Sequence, residues 1–141
     1  MLPFSIDGLD HVALRVKDLD ASVAWYQKYL GLRYYKLPEW GDFPVFLLAG
    51  KSGIALFPAN TEDPVLDPRS KNRKIDHFAF HIGQDALAQA RKHFEELGLG
   101  YDFRDHFYFH SIYTTDPDGH TVELTALIVP EESFYPLGKE A

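Results

Sequence analysis

The sequence predicts an α+β protein built from two tandem βαβββ modules that form an incomplete barrel. Two observations indicate this fold class. An Asp-His pair opens a short strand-like run twice, first at Asp10-His11 and again 66 residues later at Asp76-His77. Each run then leads into a helical pattern that ends in Leu-Gly. Because the spacing of these features is kept to within one residue, we interpret the chain as a duplication of one module.

The helix of each module is predicted from its apolar spacing. Residues Asp18–Leu30 carry apolar side chains at helical intervals, and either Asp18 or Asp20 can cap the free N–H groups at the start. Gly31 follows at the position where a left-handed residue commonly ends a helix. Residues 84–97 repeat this pattern in the second module and are again followed by a glycine.

Three strand-like runs follow each predicted helix. Turn residues between the last two runs predict connections at residues 50–53 and 116–119. The predicted strands are residues 32–37, 44–49 and 53–58 in the first module, and residues 100–104, 107–115 and 120–127 in the second.

We expect the modules to form a single domain spanning residues 1–141. Module one covers residues 7–59, and module two covers residues 75–128. The segment between them, 60–74, contains prolines and mixed charge and is predicted to be a linker. Residues 129–141 form a tail that either folds over a partner or is disordered, and the sequence favours neither.

Composition excludes several classes of function. The net charge of −7 disfavours nucleic acid as a partner, because an acidic surface repels phosphate backbones. The absence of cysteine excludes disulfides, thiolate metal sites and a cysteine nucleophile. No signal peptide and no apolar run of membrane-spanning length are found, so we expect a cytoplasmic protein that does not contact membranes.

Three residues are the candidate metal ligands: His11, His77 and Glu123. Strand alternation places all three on the face that points away from the helices. Two imidazoles and one carboxylate leave open positions on a divalent ion. That arrangement suits an enzyme better than a structural metal site, which closes its coordination sphere with protein ligands.

The chain resembles the vicinal oxygen chelate superfamily, which includes glyoxalase I, fosfomycin-resistance enzymes, bleomycin-resistance proteins and extradiol dioxygenases. The resemblance runs from about Leu9 to about Leu127 and implies the glyoxalase-like fold, with paired modules forming a cup around a divalent metal. It also implies a homodimer. The motifs that carry it are residues 9–14, 26–32 and 113–124.

Carried over to this sequence, the resemblance implies His11, His77 and Glu123 as the metal ligands. It also implies a substrate contact for Tyr113, ten residues before Glu123, because extradiol dioxygenases and fosfomycin-modifying enzymes both have a tyrosine at that offset. The dioxygenases in addition use a histidine as acid or base. Here His81 and His106 are the candidates, whereas strand parity turns His110 away from Tyr113.

Two differences from the patterns of known members indicate which member of the superfamily the chain resembles. Glyoxalase I-like enzymes have a fourth ligand at the end of the first module, where this chain has Ala55, Leu56 or Phe57, depending on the alignment gap. None of these binds metal, which argues against a four-ligand site. The tail also lacks the basic residue with which fosfomycin thiol transferases hold a phosphonate. Arg15, Arg33 and Arg104 are the candidates to replace it.

We therefore predict a metal-dependent enzyme whose small substrate chelates the metal through adjacent oxygens. Extradiol-type dioxygenase chemistry at Fe(II) or Mn(II) is favoured, with Zn(II) or Ni(II) as alternative ions. The alternatives are a redox-neutral lyase, isomerase or fosfomycin-type epoxide-opening enzyme, and a non-catalytic protein that binds a small molecule such as an antibiotic.

Aromatic residues on loops and strand ends are candidates for substrate specificity, with ordinary core or dimer packing as the alternative. Phe43 and Phe107 belong to this group. The residues predicted to bind substrate are Trp40, Phe46 and Phe109.

Overall fold

The computed structural model describes Pro3 and residues 6–138. Contacts divide the chain into two compact units, Met1–Val65 and Leu66–Ala141, and each contains one βαβββ module. The boundary between the units falls inside the predicted linker of residues 60–74. Within the described residues, no helix is both long and apolar enough to cross a membrane.

The first unit is an open four-stranded sheet with one long helix. The elements are β1 (His11–Val16), α1 (Leu19–Leu30), β2 (Arg33–Tyr35), β3 (Val45–Ala49) and β4 (Ser52–Pro58). Strand β1 runs parallel to β4, and β4, β3 and β2 pair antiparallel, so the strand order is β1-β4-β3-β2. A short 3-10 helix, Pro38–Trp40, lies between β2 and β3.

Helix α1 begins and ends as the sequence predicts. Asp18, rather than Asp20, is the N-cap, and its Oδ1 accepts a hydrogen bond from the Ala21 N–H at 3.0 Å. Gly31 ends the helix in the left-handed conformation, with φ of 63°. Tyr26 is fully buried on this helix. The other fully buried side chains of this unit, all below 2% exposure, include Val16, Ser22, Leu47, Ile54 and Leu56.

The second unit repeats this topology. The elements are β5 (Phe78–His81), α2 (Gln84–Glu96), β6 (Asp102–Asp105), β7 (Phe109–Thr115) and β8 (Thr121–Leu127). The strand order is β5-β8-β7-β6, and β5 runs parallel to β8. Phe94 is fully buried on the helix, and Ile112 and Val122 are buried in the sheet. The helix ends one residue earlier than predicted, and Leu97 is 39% exposed.

The described part of the tail is folded. Residues Glu131–Ser133 and Tyr135–Leu137 form two short 3-10 helices. The Phe134 ring between them packs on Tyr108 and Phe109, with centroid distances of 5.3 and 4.9 Å. The α+β class and the two βαβββ modules are thus confirmed, although several strands are shorter than predicted.

Candidate functional site

His77 and Glu123 meet in the second unit. His77 lies just before β5, and Glu123 lies in the middle of β8, which pairs with β5. The two side chains approach to 2.9 Å between His77 Nε2 and Glu123 Oε1. Glu123 is only 7% exposed. An imidazole nitrogen and a buried carboxylate oxygen thus converge on one point, and a shared proton or a metal ion would satisfy both.

An aspartate contacts the other ring nitrogen of each candidate histidine ligand. Asp76 Oδ2 lies 2.8 Å from His77 Nδ1, and Asp10 Oδ1 lies 2.7 Å from His11 Nδ1. The hydrogen bond to His77 lowers the pKa of Asp76. Histidines that bind metals usually donate their second N–H to such a carboxylate, which leaves the lone pair on Nε2 for the metal. Both aspartates thus contact candidate ligands, and the repetition of the Asp-His pair in the sequence is the signal that points to them.

Tyr113 lies next to Glu123 on the same face of the sheet. The two are direct partners in the antiparallel pairing of β7 with β8. The His77 and Tyr113 rings form an edge contact with a centroid distance of 5.6 Å. A cavity of about 470 Å³, lined by Tyr113, Asp102 and Thr121 among others, opens beside this group. That volume is in the range of small-molecule sites.

The Tyr113 hydroxyl lies 2.9 Å from Nε2 of His106, which belongs to the loop between β6 and β7. Burial raises the pKa of Tyr113, and the negative charge of Glu123 and a hydrogen bond to it raise the pKa further. Ser111 and Arg104 act in the opposite direction. The phenol is therefore held in its protonated form, ready to donate a hydrogen bond.

His81 lies on the same face of the sheet as Glu123 and Tyr113, but two residues further along the paired strands. Strand pairing puts it opposite Thr125, which accepts a hydrogen bond from Ser111 at 2.8 Å. Ser111 in turn pairs with Arg104 on β6. Among the described residues, none forms a hydrogen bond or a ring contact with the His81 side chain. The structure thus brings His106, but not His81, into contact with Tyr113.

His110 faces the opposite side of the sheet, as strand parity predicts. Its ring packs on Phe103 at 5.2 Å, and its Nε2 lies 3.6 Å from Asp105. Leu87 and Arg91 of α2 line the same small cleft as His110. His110 therefore has no part in the group around Tyr113.

In the first unit, His11 lies in an aromatic cluster. Its ring is 5.0 Å from that of Phe46, which in turn is 4.9 Å from that of Trp40. The structure thus brings two of the three predicted substrate-binding residues together beside a candidate ligand. The third, Phe109, packs against Phe134 of the tail instead.

The strand register identifies the counterpart of Glu123 in the first unit. Glu123 is the partner of Ala79 on β5 and of Tyr113 on β7. At the equivalent place, Ala55 is the partner of Ala13 on β1 and of Phe46 on β3. Ala55, rather than Leu56 or Phe57, therefore replaces the carboxylate, and Phe46 replaces the tyrosine.

The candidate ligands, two imidazoles and one carboxylate, are donor groups of the kind that bind divalent metal ions. In the part of the chain that the structure describes, no three His, Asp or Glu side chains gather closely enough to form a complete site. The second unit supplies two donors, His77 and Glu123, which already converge. His11 of the first unit has the same Asp-supported imidazole.

A family model described as the Glyoxalase/Bleomycin resistance protein/Dioxygenase superfamily matches residues 8–124. The chain belongs to this superfamily. The match covers both modules and includes all three candidate ligands.

Named relatives include a metallothiol transferase and a glyoxylase. The chain is 31% identical over 138 residues to the metallothiol transferase FosB of Staphylococcus epidermidis, covering 92% of this chain and 89% of that protein. It is 28% identical over 132 residues to Glyoxylase I 4 of Arabidopsis thaliana, covering 86% and 72%.

Solved structures agree. The fosfomycin resistance protein FosX from Listeria monocytogenes superimposes with a TM-score of 0.69 at 26% identity, covering 93% of this chain and 99% of that one. A glyoxalase/dioxygenase from Nostoc punctiforme, 20% identical, reaches a TM-score of 0.76 over 92% and 97% of the two chains. The predicted glyoxalase-like fold is thereby confirmed.

Proposed function

We propose that the chain is a divalent-metal-dependent enzyme that opens the epoxide of a small anionic substrate of the fosfomycin type, without a change of redox state. The observation that carries this proposal is the group of His77, Glu123 and protonated Tyr113 on one face of the second sheet. The near full-length similarity to FosB and FosX supports this alternative over the dioxygenase chemistry that the sequence first favoured.

In this proposal, His11, His77 and Glu123 hold the metal, with Mn(II) as the expected ion because no redox step is needed. The bound ion would supply Lewis acidity for the oxygen that becomes an alkoxide when the epoxide opens. Asp10 and Asp76 fix the orientation of the two imidazoles through Nδ1. The two aspartates thus set the direction of both imidazole donor atoms.

Tyr113 donates a hydrogen bond to an oxygen of the substrate. Its raised pKa keeps the proton on the phenol at neutral pH. A nucleophile attacks one epoxide carbon, the C–O bond breaks, and the released oxygen takes up a proton. A donor placed where that negative charge develops lowers the barrier, and loss of one such donor in other enzymes costs about 10²–10³ in rate.

Arg104 is the proposed contact for the anionic part of the substrate. It pairs with Ser111, two residues before Tyr113, and so lies on the same side of the sheet as Tyr113. Its positive charge acts to lower the pKa of the Tyr113 hydroxyl. Arg15 lies instead over the Phe57 ring and donates to the Pro58 carbonyl. Arg33 lies over the Tyr35 ring in the first unit. Of the three candidate arginines, we therefore propose that Arg104 replaces the basic residue that the tail lacks.

The test is conversion of fosfomycin by protein reconstituted with Mn(II), with water, L-cysteine or glutathione as the nucleophile. Loss of the substrate signal is followed by ³¹P NMR. We expect conversion by the wild type, none by Glu123→Ala, and wild-type conversion by His110→Ala, whose side chain faces away from the site. No conversion with any of the three nucleophiles would refute the proposed substrate.

Extradiol dioxygenase chemistry is the second candidate. The 2.9 Å contact between His106 Nε2 and the Tyr113 hydroxyl favours it, because that reaction needs an acid–base group near the substrate. Uptake of O₂ with catechol by the Fe(II) protein, with no conversion of fosfomycin by the Mn(II) protein, would select this function. A non-catalytic binding protein would show neither activity.

A further inference from the structure

The loop between β6 and β7 contains a strained turn at Phe107. The Tyr108 N–H donates to the His106 carbonyl at 2.8 Å, which closes a three-residue turn across Phe107. Phe107 has φ of 67° and is the one non-glycine residue with positive φ in the described part of the chain. A γ-turn of this hand is rare, and a bulky residue at positive φ is disfavoured.

Burial does not explain why a phenylalanine occupies this position. The Phe107 side chain is 88% exposed, so its ring contributes little to the core. Glycine or asparagine would adopt the same backbone conformation more easily. A strained residue persists only where the surrounding structure fixes it, and such residues cluster at functional sites.

Four contacts fix this turn. The Phe107 N–H donates to Asp105 Oδ1 at 3.0 Å, and the His106 N–H donates to the Phe109 carbonyl at 2.8 Å. The Ile128 N–H donates to the Tyr108 carbonyl at 2.9 Å. On the other side, the Phe134 ring of the tail packs on both Tyr108 and Phe109.

The consequence of this turn is the direction of His106. His106 immediately precedes the strained residue and is an exposed loop side chain, yet its Nε2 reaches the Tyr113 hydroxyl at 2.9 Å. Tyr113 has one proton, and its hydrogen-bonding neighbours are His106, Glu123 and Ser111. The Ser111 hydroxyl donates to Thr125. If His106 donates from Nε2, the Tyr113 proton is directed away from His106 and is available to Glu123 and the site.

We propose that Phe107 is a positioning residue: the strained turn that it forms holds His106 against Tyr113, and His106 thereby directs the Tyr113 proton into the site. The inference rests on the proposed role of Tyr113. A β-carbon at position 107 restricts the turn, whereas glycine opens a much larger conformational range to it. The backbone at this position, not the exposed ring, is thus the feature that matters.

The test compares Phe107→Asn, which tolerates positive φ, with Phe107→Gly, which frees the turn. The readout is the imidazole ¹⁵N–¹H NMR signal of His106 in metal-free protein without substrate, assigned with His106→Gln. Tyr113→Phe gives the signal expected when the contact is lost. We expect Phe107→Asn to keep the wild-type signal, and Phe107→Gly and Asp105→Ala to move it towards that of Tyr113→Phe.

A wild-type His106 signal in Phe107→Gly would overturn the proposal. Equal displacement in Phe107→Asn and Phe107→Gly would also overturn it, because loss of the ring would then be the cause. Thermal unfolding verifies that each variant is folded. Because no substrate or metal is used, failure of this inference is distinct from failure of fosfomycin as the substrate. If fosfomycin is converted, we further expect turnover to fall about tenfold in Phe107→Gly and to be retained in Phe107→Asn.

Discussion

Tyr113 is the residue whose surroundings act most clearly on the pKa of a side chain. Its ring packs edge-on against His77, and its oxygen lies near both Glu123 and His106. Partial burial penalises the phenolate, and the neighbouring carboxylate penalises it again. Both effects stabilise the neutral phenol, so the pKa of Tyr113 rises above its ordinary value near 10.

We expect Tyr113 to titrate above the ordinary tyrosine value in the metal-free protein. Because its folded-state pKa exceeds the unfolded value, its contribution to stability is complete below about pH 10 and is lost as pH rises through the folded-state pKa. Tyrosinate absorbance of the wild type minus that of Tyr113→Phe measures the titration. Glu123→Gln should lower this pKa by removing the nearby charge. A difference titration at or below the ordinary tyrosine value would contradict the assignment.

Asp10 and Asp76 illustrate what single residues reveal in sequence. Each precedes its histidine directly, and the pair is repeated once per module. The repetition predicts where the histidines lie, and the structure adds the contact that each aspartate makes with Nδ1 of its histidine. The signal for a supporting role was therefore present in the sequence, although an aspartate beside a histidine is more often simply solvated.

At the scale of strands and loops, the sequence predicts the features that depend on the periodicity of apolar residues. It does not predict the features that depend on the pairing register of the strands. The faces of β1, β5 and β8 follow from alternation alone. The sequence alone does not choose among three residues for the counterpart of Glu123, because strand pairing depends on contacts far apart in sequence. The register selects Ala55. The direction of His106 likewise depends on an irregular turn that no repeating pattern describes.

The hairpin of β3 and β4 depends on a close backbone approach at Gly53. A β-carbon there would lie 2.3 Å from the Leu47 carbonyl oxygen and 2.9 Å from the Leu48 α-carbon. Backbone atoms of a paired strand cannot move aside without breaking the ladder. We therefore expect Gly53→Ala to destabilise the protein by about 1–3 kcal/mol, as overpacking in cores does. Urea unfolding measures this change.

Gly100→Ala is the matched control for this substitution. A β-carbon at Gly100 meets no atom within 4 Å, and its φ is not positive. We expect its free energy of unfolding to stay within about 0.5 kcal/mol of the wild type. Equal destabilisation by both substitutions would show that the loss of glycine itself, not the close approach at Gly53, is responsible.

At the scale of the whole molecule, the proposed ligands belong to two different units. His11 and the Phe46–Trp40 cluster lie in the first unit, and His77, Glu123 and Tyr113 lie in the second. We expect a homodimer with twice the 16.1 kDa mass of the chain, as the resemblance implies. Light scattering after size-exclusion chromatography measures this mass, and a monomer at micromolar concentration would contradict the expectation.

Mixing two inactive variants then shows how a dimer assembles its sites. If each site takes His11 from one chain and Glu123 from the other, a heterodimer of His11→Ala and Glu123→Ala contains one intact site. Such a mixture regains Mn(II) binding after subunit exchange. If each chain builds its own site, both sites in the heterodimer stay defective and binding is not restored.

Ala55, the partner of Ala13 on the neighbouring strand, has a consequence for which metal ion the protein binds in the cell. With Ala55 in place of a fourth carboxylate, the proposed site offers an ion three protein donors, and the remaining positions exchange with solvent. Divalent ions that prefer the same ligands then compete for the site according to their abundance in the cell. The metal found in the purified protein is therefore expected to follow the growth medium. Activity regained with each added ion, rather than metal content, identifies the working cofactor.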